Sequence, residues 1–455
     1  MMRRILVCAL ALALGGCMVG PDYKRPDLGL PAAYNGAGPA SGSIKVPGEW
    51  WTLYGDPVLD EYVKSGLERN ADVKLAAARV EEAEAVVAQA RAAFFPEVEA
   101  QAGAQRSRTL QFGTVSLFNL GLSTSFELDV WGKLRRAERS VRDQLLSSRY
   151  GSDTVALTLA ATIARTYFTV ISLDTQYAAA DENLRAANEG YDLTRKLLAG
   201  GVGSALDVYQ AGALVSAGAA QLKEIARQRA LAQHQLGVLT GRLDVTVPVK
   251  TLDTLPIPPL PPAGLPSELL ERRPDVRQAE EDLAAATERI GVARADQFPT
   301  LSLTGSFGAQ STDLDKLFSG GSKVWSIGAN LLGPIFDAGL YKARTQQAEA
   351  QAHQAAATYQ RSVENAFRDV SDALSNVKAA ADTEKDLGER LNQAREALRL
   401  ANLRYRTGYS AYLEVLDATR TLNAAQLDYI RNRQNYLTFT VDLMNALGGG
   451  WKPAS

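Results

Sequence analysis

The two halves of this sequence repeat one pattern, and that repeat limits the architectures open to the chain. Leu67–Pro96 aligns with Leu270–Pro299 without gaps, and both segments end in Phe-Pro. Gly201–Val208 and Gly408–Val415 then share the spacing Gly-x-x-x-x-Leu-[Asp/Glu]-Val. Two alanine-rich helices would match by chance in scattered alanines, but not in these motifs in the same order. We therefore predict a two-fold internal repeat.

A proline-rich stretch separates the two copies. Residues 248–266 hold seven of the 18 prolines in the chain, a composition typical of an extended linker. The first repeat is accordingly placed at 56–247 and the second at 267–448. A segment rich in proline and glycine, 17–55, precedes the repeats, and a short tail, 449–455, follows them.

Each repeat contains two segments in which apolar and polar residues alternate. They cover about 97–110 and 117–129 in the first repeat, and about 299–311 and 323–336 in the second. Acids and amides occupy polar positions, and aromatic residues cluster at the segment ends. A soluble hairpin with one buried face gives the same alternation, but these two details favour strands of a membrane β-barrel.

The number of predicted strands implies an oligomer. Four strands do not close a barrel alone, because the smallest single-chain membrane barrels have about eight strands. A membrane does not tolerate an open strand edge either, since its backbone groups would find no partner in lipid. We therefore expect several copies of the chain to share one barrel.

Long helices fill most of each repeat. Lys133–Ala199 keeps an unbroken helical pattern that would extend roughly 100 Å, and Ala338–Arg406 repeats it. Turns at about 199–206 and 406–411 lead into the returning helices. Leucine, alanine and tyrosine recur at coiled-coil spacing in both long segments. We expect Lys133–Ala199 to be too polar to cross a membrane, because Ile5–Leu14 is the only strongly apolar run that we identify.

The N-terminus has the form of a lipoprotein signal. Two arginines precede the apolar run Ile5–Leu14, and Leu-Gly-Gly comes directly before Cys17. This arrangement resembles the bacterial lipobox, so we predict removal of 1–16 and acylation of Cys17 as a stable anchor. An ordinary signal peptide followed by a chance cysteine is the alternative. Position 18 is Met rather than the Asp that retains similar lipoproteins in the inner membrane, which favours the outer membrane.

Composition narrows the functional classes. The chain has 49 Lys+Arg against 51 Asp+Glu, which gives no electrostatic argument for nucleic acid. Its two cysteines, Cys8 and Cys17, lie near the N-terminus, and its two histidines, His234 and His353, are isolated. We therefore predict no catalytic residue, no metal site, no cofactor and no enzyme activity, although a carboxylate pair alone is able to catalyse hydrolysis.

Several motifs resemble one protein family across essentially the whole chain. Cys17–Pro26 is similar to the start of the outer-membrane lipoproteins of tripartite efflux systems, and Trp50–Pro57 is similar to their next motif. Tyr405-x-x-Gly408, followed by Glu414–Ala418, resembles the helix turn of the TolC-like superfamily. The chain is thus identified as a member of the TolC-like outer-membrane factor family, in its lipoprotein (NodT-type) branch.

The resemblance implies an α+β membrane protein that forms a homotrimer. Each chain would give four β-strands to a trimeric, twelve-stranded outer-membrane β-barrel, continuous with a long periplasmic α-helical coiled-coil barrel. The implied function is a passive exit duct for small molecules, docked on a periplasmic membrane-fusion adaptor and an inner-membrane pump of the resistance-nodulation-division (RND) type. The implied location is the outer membrane of a Gram-negative bacterium, in contact with outer-membrane lipid.

The same resemblance places functional residues near the two turns. Glu414 and Asp417 share one helix face and would form stacked carboxylate rings at the periplasmic aperture of the trimer. Tyr405 and Asp207 correspond to residues that lock the closed state in the family. Ser410 stands where a well-known member has an arginine lock, so the closed state here would be weaker or would use other residues.

Adaptor contact is implied for the tips of the two turns. Glycine at these tips also ends a helix, because it readily takes a positive φ. The tip residues are Gly201, Val202, Gly203, Thr407, Gly408 and Tyr409.

Two other functions stay open from the sequence. One is the outer-membrane conduit of an ATP-driven secretion or export system. The other is a non-conducting coiled-coil lipoprotein scaffold, which the alternating strands with acids on their polar face argue against. The sequence does not specify the cargo, whether drug, metal, solvent or peptide.

Overall fold

The computed structural model describes residues 18–31, 33, 34, 46–110, 113–261 and 268–451. The predicted signal peptide, 1–16, and the predicted lipidation site, Cys17, lie outside the described residues.

Within that part of the chain, the order of elements repeats. The first copy contains α1 (Pro57–Arg69), α2 (Ala71–Ala92), β1 (Glu97–Thr109), β2 (Gly113–Leu128), α3 (Lys133–Ala199) and α4 (Ala205–Thr240). The second copy contains α5 (Leu269–Arg272), α6 (Pro274–Ala295), β3 (Thr300–Ser311), β4 (Lys323–Leu332), α7 (Leu340–Arg406) and α8 (Tyr412–Ala446). Short helix, strand pair, long helix and returning helix follow one another twice, which confirms the internal repeat.

Two strand limits differ from the sequence-based expectation. β2 begins at Gly113 rather than near 117, and β4 ends at Leu332 rather than near 336. Pro334 accounts for the early end of β4, because proline has no backbone N–H to donate to a neighbouring strand.

The chain forms two compact units. The first takes in the described residues up to Leu28, together with Ala77–Tyr150 and Arg277–Ser362. The second takes in Gly29–Ala76, Gly151–Val276 and the described residues from Val363 onward. The long helices α3 and α7 each supply residues to both units.

The first unit contains one antiparallel sheet in the order β1-β2-β3-β4. Residues paired across the strands point to the same face, so the register assigns every strand residue to a face. One cross-strand row consists of Ala100, Leu122, Phe307 and Trp325. The next row consists of Glu99, Ser123, Ser306 and Ser326, and the last two join through their hydroxyls at 2.8 Å. The sheet therefore has one apolar face and one polar face.

The outer strands of this sheet each keep one edge unpaired within the described part of the chain. β1 pairs only with β2, and β4 pairs only with β3. Backbone groups along such an edge would find no partner in lipid, so the two edges agree with the expectation that several copies share one barrel.

The second unit is built around a large aromatic and aliphatic core. Trp50, Tyr54, Tyr167 and Phe168 are all completely buried. The Tyr54 and Phe168 rings lie 4.9 Å apart, centroid to centroid. The Trp-Trp motif near the N-terminus is therefore a structural element, which ties the start of the chain to the middle of α3.

A buried carboxylate organises the edge of this core. The Asp56 side chain is 2% exposed and accepts bonds from Lys250 Nζ (2.8 Å) and from Tyr167 Oη (2.6 Å). It also caps α1 by accepting a bond from Val58 N at 3.0 Å. Burial alone would raise the pKa of Asp56, but these bonds outweigh burial and lower that pKa.

The same junction occurs once in each repeat, where a returning helix ends beside the short helices. After α4, Gly241 has φ 65°, and the Asn70 side chain donates to Leu239 O at 3.0 Å. After α8, Gly448 has φ 88°. A Cβ atom on Gly448 would lie 2.1 Å from Arg272 O, so only glycine fits there without movement.

The helix α3 is more apolar than the sequence analysis expected. It contains an 18-residue window with mean hydropathy 1.4, long and apolar enough to cross a membrane by those criteria alone. The prediction that the segment is too polar was wrong by that measure. However, 56% of the window is buried inside the protein, and α3 residues such as Ile163 and Phe168 form the core of the second unit. Packing within the protein accounts for this apolar composition.

Candidate functional site: the helix turns

Both turns between a long helix and its returning helix use the same device. After α3, Val202 N and Gly203 N both donate to Leu197 O at 3.0 Å, while Gly201 takes φ 77°. After α7, Tyr409 N donates to Arg404 O at 2.8 Å, and Gly408 also takes φ 77°. The backbone therefore requires the glycines, and the neighbouring side chains are the part of each turn that is able to contact a partner.

Those side chains expose a large apolar area. Val202 is 79% exposed and Tyr409 is 81% exposed. Nearby exposed apolar residues on the returning helices are Leu206, Tyr209 and Leu413. Exposed apolar patches of this kind mark contact sites on proteins.

The structure brings the two predicted lock residues together. Tyr405 lies at the end of α7 and Asp207 in the first turn of α4, and Tyr405 Oη donates to Asp207 Oδ2 at 3.4 Å. That length indicates a weak hydrogen bond. Burial, and then the charge of Asp207, raises the pKa of Tyr405 to about 12, so the phenol keeps its proton at neutral pH.

Packing supports this contact from the apolar side. The Tyr405 ring lies 5.1 Å from the Tyr412 ring. Tyr412 belongs to a buried cluster with Ala211, Ala401 and Leu416, which joins α4, α7 and α8. Separation of α4 from the second turn would therefore disrupt both a hydrogen bond and an apolar cluster.

The two predicted aperture carboxylates differ in their surroundings. Both Glu414 and Asp417 are exposed near the start of α8. Glu414 Oε2 lies 3.2 Å from Arg404 Nε, whereas Asp417 forms no ion pair within the described residues. Asp417 thus carries an unneutralised charge in one copy of the chain, and Glu414 does not.

Sequence reasoning missed Arg404 because the pair crosses a turn. Arg404 is in the last turn of α7 and Glu414 in the first turn of α8, so helical spacing does not reveal the contact. The available signal was a basic residue at a helix end, which also suits the helix dipole. Ser410, by contrast, has a buried Oγ with no hydrogen-bond partner among the described residues.

The chain matches the family model for outer membrane efflux proteins over residues 63–242 and 265–449. The chain belongs to the outer membrane efflux protein family. The two matched ranges correspond to the two repeats, and the break between them falls in the proline-rich linker.

Relatives of this efflux protein are similar over nearly their whole length. The toluene efflux pump outer membrane protein TtgC of Pseudomonas putida is 35% identical over 97% of this chain and 94% of its own. The cation efflux system protein CusC of Escherichia coli is 31% identical over 99% of each chain.

Solved structures show the same fold. The outer-membrane channel OprN has a TM-score of 0.90 and 31% identity, over 96% of this chain and 100% of its own. The open state of the Neisseria gonorrhoeae channel MtrE has a TM-score of 0.87 and 31% identity, over 96% and 99%.

These similarities confirm the predicted family, the fold class and the function. The protein is an outer-membrane exit channel of an efflux system, and its four strands contribute to a trimeric barrel. Members of this family are located in the outer membrane of Gram-negative bacteria, and they act with an adaptor and an inner-membrane pump.

The N-terminal segment of this outer membrane efflux protein is fixed to the base of the strands. Val19 N donates to Trp131 O at 3.1 Å, just after the end of β2. Arg136 is 1% exposed and binds Glu288 at 2.9 Å, and it also donates to Gly20 O at 3.2 Å. Residue 18 is therefore held beside the point where the chain leaves the sheet.

Proposed function

We propose that this chain is the exit duct of a tripartite pump that expels small organic molecules, with a membrane-fusion adaptor and an RND pump as its partners. The observation that carries the duct is the sheet with one apolar and one polar face, because several copies close it into a barrel with a wet lumen. Relatives at 35% identity are named for antibiotic and toluene efflux, whereas the cation efflux relative is 31% identical. These names favour an organic cargo.

We propose that the adaptor binds the tips of the two turns. The tips are Gly201, Val202 and Gly203 in the first turn, and Thr407, Gly408 and Tyr409 in the second. The exposed apolar side chains there support this assignment, since a protein partner would bury them. The turn glycines let the backbone reverse within a few residues, which leaves Val202 and Tyr409 accessible.

We propose that Glu414 and Asp417 line the periplasmic aperture, and that Tyr405 and Asp207 hold it closed. The contact between Tyr405 and Asp207, with the apolar cluster beside it, supports the lock. Arg404 supplies the cation that Ser410 lacks, and its pairing with Glu414 holds the end of α7 to the start of α8.

We propose that Cys17 is acylated and anchors the N-terminus in the membrane. The fixed position of Val19 and Gly20 at the base of the strands supports the proposal, because Cys17 comes only two residues before Val19. The mass of the mature chain tests it directly, since acyl chains add to the mass of 17–455.

The experiment that tests the duct assignment is photo-crosslinking in cells from Val202 and Tyr409, with mass spectrometry of the products. Val249 is a matched control because it is also 79% exposed but lies in the linker. We expect an adaptor of an RND pump to be captured from Val202 and Tyr409, and not from Val249. Capture of an ATP-driven exporter's adaptor would contradict the RND assignment, and capture of no adaptor from a trimeric protein would contradict the docking surface.

A further inference from the structure

The charged residues of the four strands are sorted by sign between the two faces. The acids Glu97, Glu99 and Glu127 share the polar face. All three cations of the strands, Arg106, Arg108 and Lys323, share the apolar face, as the following register shows.

The register places Lys323 in a row with Ala102 of β1, through the pairs Ala102–Leu120, Leu120–Ala309 and Ala309–Lys323. Arg106 and Arg108 lie an even number of residues beyond Ala102 on the same strand. Side chains alternate between faces along a strand, so all three cations point the same way as Ala102. They are exposed, and they form no ion pair within the described residues.

In a barrel with tilted strands, Lys323 and Arg106 also lie at the same height along the barrel axis. β4 is displaced along β1, because the row of Glu97 contains Gly328 while β4 continues to Leu332. Barrel strands tilt by about 40° from the barrel axis, and β1 and β4 are three strand spacings of about 4.8 Å apart. Residues of β1 and β4 at the same height along that axis are therefore offset from the paired row by about 12 Å along the strand, or about four residues. Arg106 lies that far beyond Ala102 and therefore stands level with Lys323.

The apolar face below this level is suited to acyl chains. An open groove of about 400 Å³ lies on it, lined mainly by apolar side chains. The apolar lining residues are Val98, Leu122, Phe307, Trp325 and Ile327. The end of the sheet with the cations is the end away from the helices, which in an outer-membrane barrel is the outer leaflet.

We propose that Arg106, Arg108 and Lys323 bind the phosphate groups of lipid A, the phosphorylated glycolipid of the outer leaflet, whose acyl chains cover the apolar face below. Closure of the trimeric barrel places β4 of one copy beside β1 of the next. Lys323 of one copy then meets Arg106 and Arg108 of its neighbour, so each junction carries three cations. The planar guanidinium groups bind phosphate in a bidentate manner, and clustered cations at a membrane surface attract anionic head groups.

The site therefore needs two copies of the chain, and a bound lipid bridges them. The lipid would stabilise the junction where the unpaired edges of β1 and β4 meet. This inference depends on the outer-membrane location and the trimer, and it does not depend on which adaptor or pump the channel serves.

The test uses the purified trimer, with lipid binding counted by native mass spectrometry. The probes are lipid A with two phosphates, lipid A with one phosphate, and phosphatidylglycerol. We expect lipid A with two phosphates to bind at least about tenfold more tightly than either other lipid, at up to one lipid per junction. The triple variant R106Q/R108Q/K323Q should lose at least about tenfold in lipid A affinity, since each bidentate arginine contact is a charge-assisted bond.

A matched triple variant controls for the loss of positive charge. K223Q/K342Q/K385Q removes three exposed lysines from helices and should bind lipid A as the unmodified trimer does. If R106Q/R108Q/K323Q does not assemble, the single variant K323Q serves, with an expected partial loss of lipid A binding. Undiminished lipid A binding by an assembled R106Q/R108Q/K323Q trimer would overturn the proposal, as would equal binding of all three lipids by the unmodified trimer.

Discussion

At the scale of single residues, one of the two carboxylates that we propose for the aperture forms an ion pair that the sequence did not suggest. Tyr405 and Asp207 were recognisable as a pair from motif position, and the structure places them in contact. Arg404 was not recognisable, because its contact with Glu414 depends on how the α7–α8 turn folds back. Local spacing predicts contacts along one helix, whereas a contact across a turn depends on tertiary geometry.

The ion pair leads to opposite predictions for Arg404 and Asp417. Asp417→Asn should lower the preference for cations, because it removes an unpaired carboxylate. Arg404→Gln should raise that preference by about twofold, because it frees the charge of Glu414; an exposed pair of this kind is worth well under 1 kcal/mol. The measurement is the reversal potential of single trimers in planar bilayers under a KCl gradient.

Glu414→Gln is the internal control for this comparison. It should lower the preference about as much as Asp417→Asn does, because it leaves the positive charge of Arg404 unpaired. A decrease in cation preference on Arg404→Gln would contradict the assignment of Arg404 and Glu414 to the aperture.

Asp56 gives a prediction about stability and pH. Its pKa is lowered in the folded protein, so its contribution to stability is present above the unfolded pKa of about 3.9 and is lost as pH falls through the lower folded value. Asp56→Asn should cost about 2–3 kcal/mol at pH 7, since Lys250 loses its counter-charge and only one side-chain oxygen remains to accept from Lys250 and Tyr167. The difference in unfolding midpoint between the two proteins should shrink below about pH 4.

Asp244→Asn provides the comparison, because Asp244 is an exposed carboxylate in the same unit. Its effect on the unfolding midpoint should be small at every pH. A loss of stability on Asp56→Asn that does not depend on pH would argue against the carboxylate as its origin.

At the scale of elements, the sequence pattern predicted an element correctly where its two faces have different surroundings, one apolar and one polar. The strands alternate because one face is apolar and the other polar, so their existence and pairing in two hairpins were predictable. The apolar window of α3 was misjudged, because its apolar residues pack in the core of the second unit, and that packing depends on tertiary structure. The path of residues 18–28 was not predictable either, since it depends on single contacts such as the one between Gly20 and Arg136.

The helix junctions allow clash and backbone strain to be separated. Gly448→Ala places a Cβ atom 2.1 Å from Arg272 O at φ 88°, so we expect a loss above the cost of strain alone. Gly339→Ala meets nothing within 4 Å at φ 87°, so it should cost only the strain of about 1–2 kcal/mol. The measurement is the free energy of unfolding of both variants in detergent. Equal losses for the two variants would show that the close approach of Gly448 and Arg272 does not contribute.

At the scale of the whole molecule, the repeat explains why one chain makes only part of a channel. Duplication gives two strand hairpins and two helix turns per chain. The outer edges of β1 and β4 have no partner in the described part of the chain, which implies further copies. The family places three copies around one lumen. The polar face of each sheet, with Glu97, Glu99 and Glu127, then lines that lumen, and the apolar face contacts lipid.

The measurement that tests the central claim most directly is the conductance of the purified trimer in planar bilayers. We predict a stable pore that prefers cations, which requires the trimer and disappears on dissociation into monomers. A trimer that inserts into the bilayer but conducts no current, even in a variant such as Tyr405→Phe with Asp207→Asn that removes the lock contact, would contradict the account. That result would instead favour a coiled-coil scaffold without a pore.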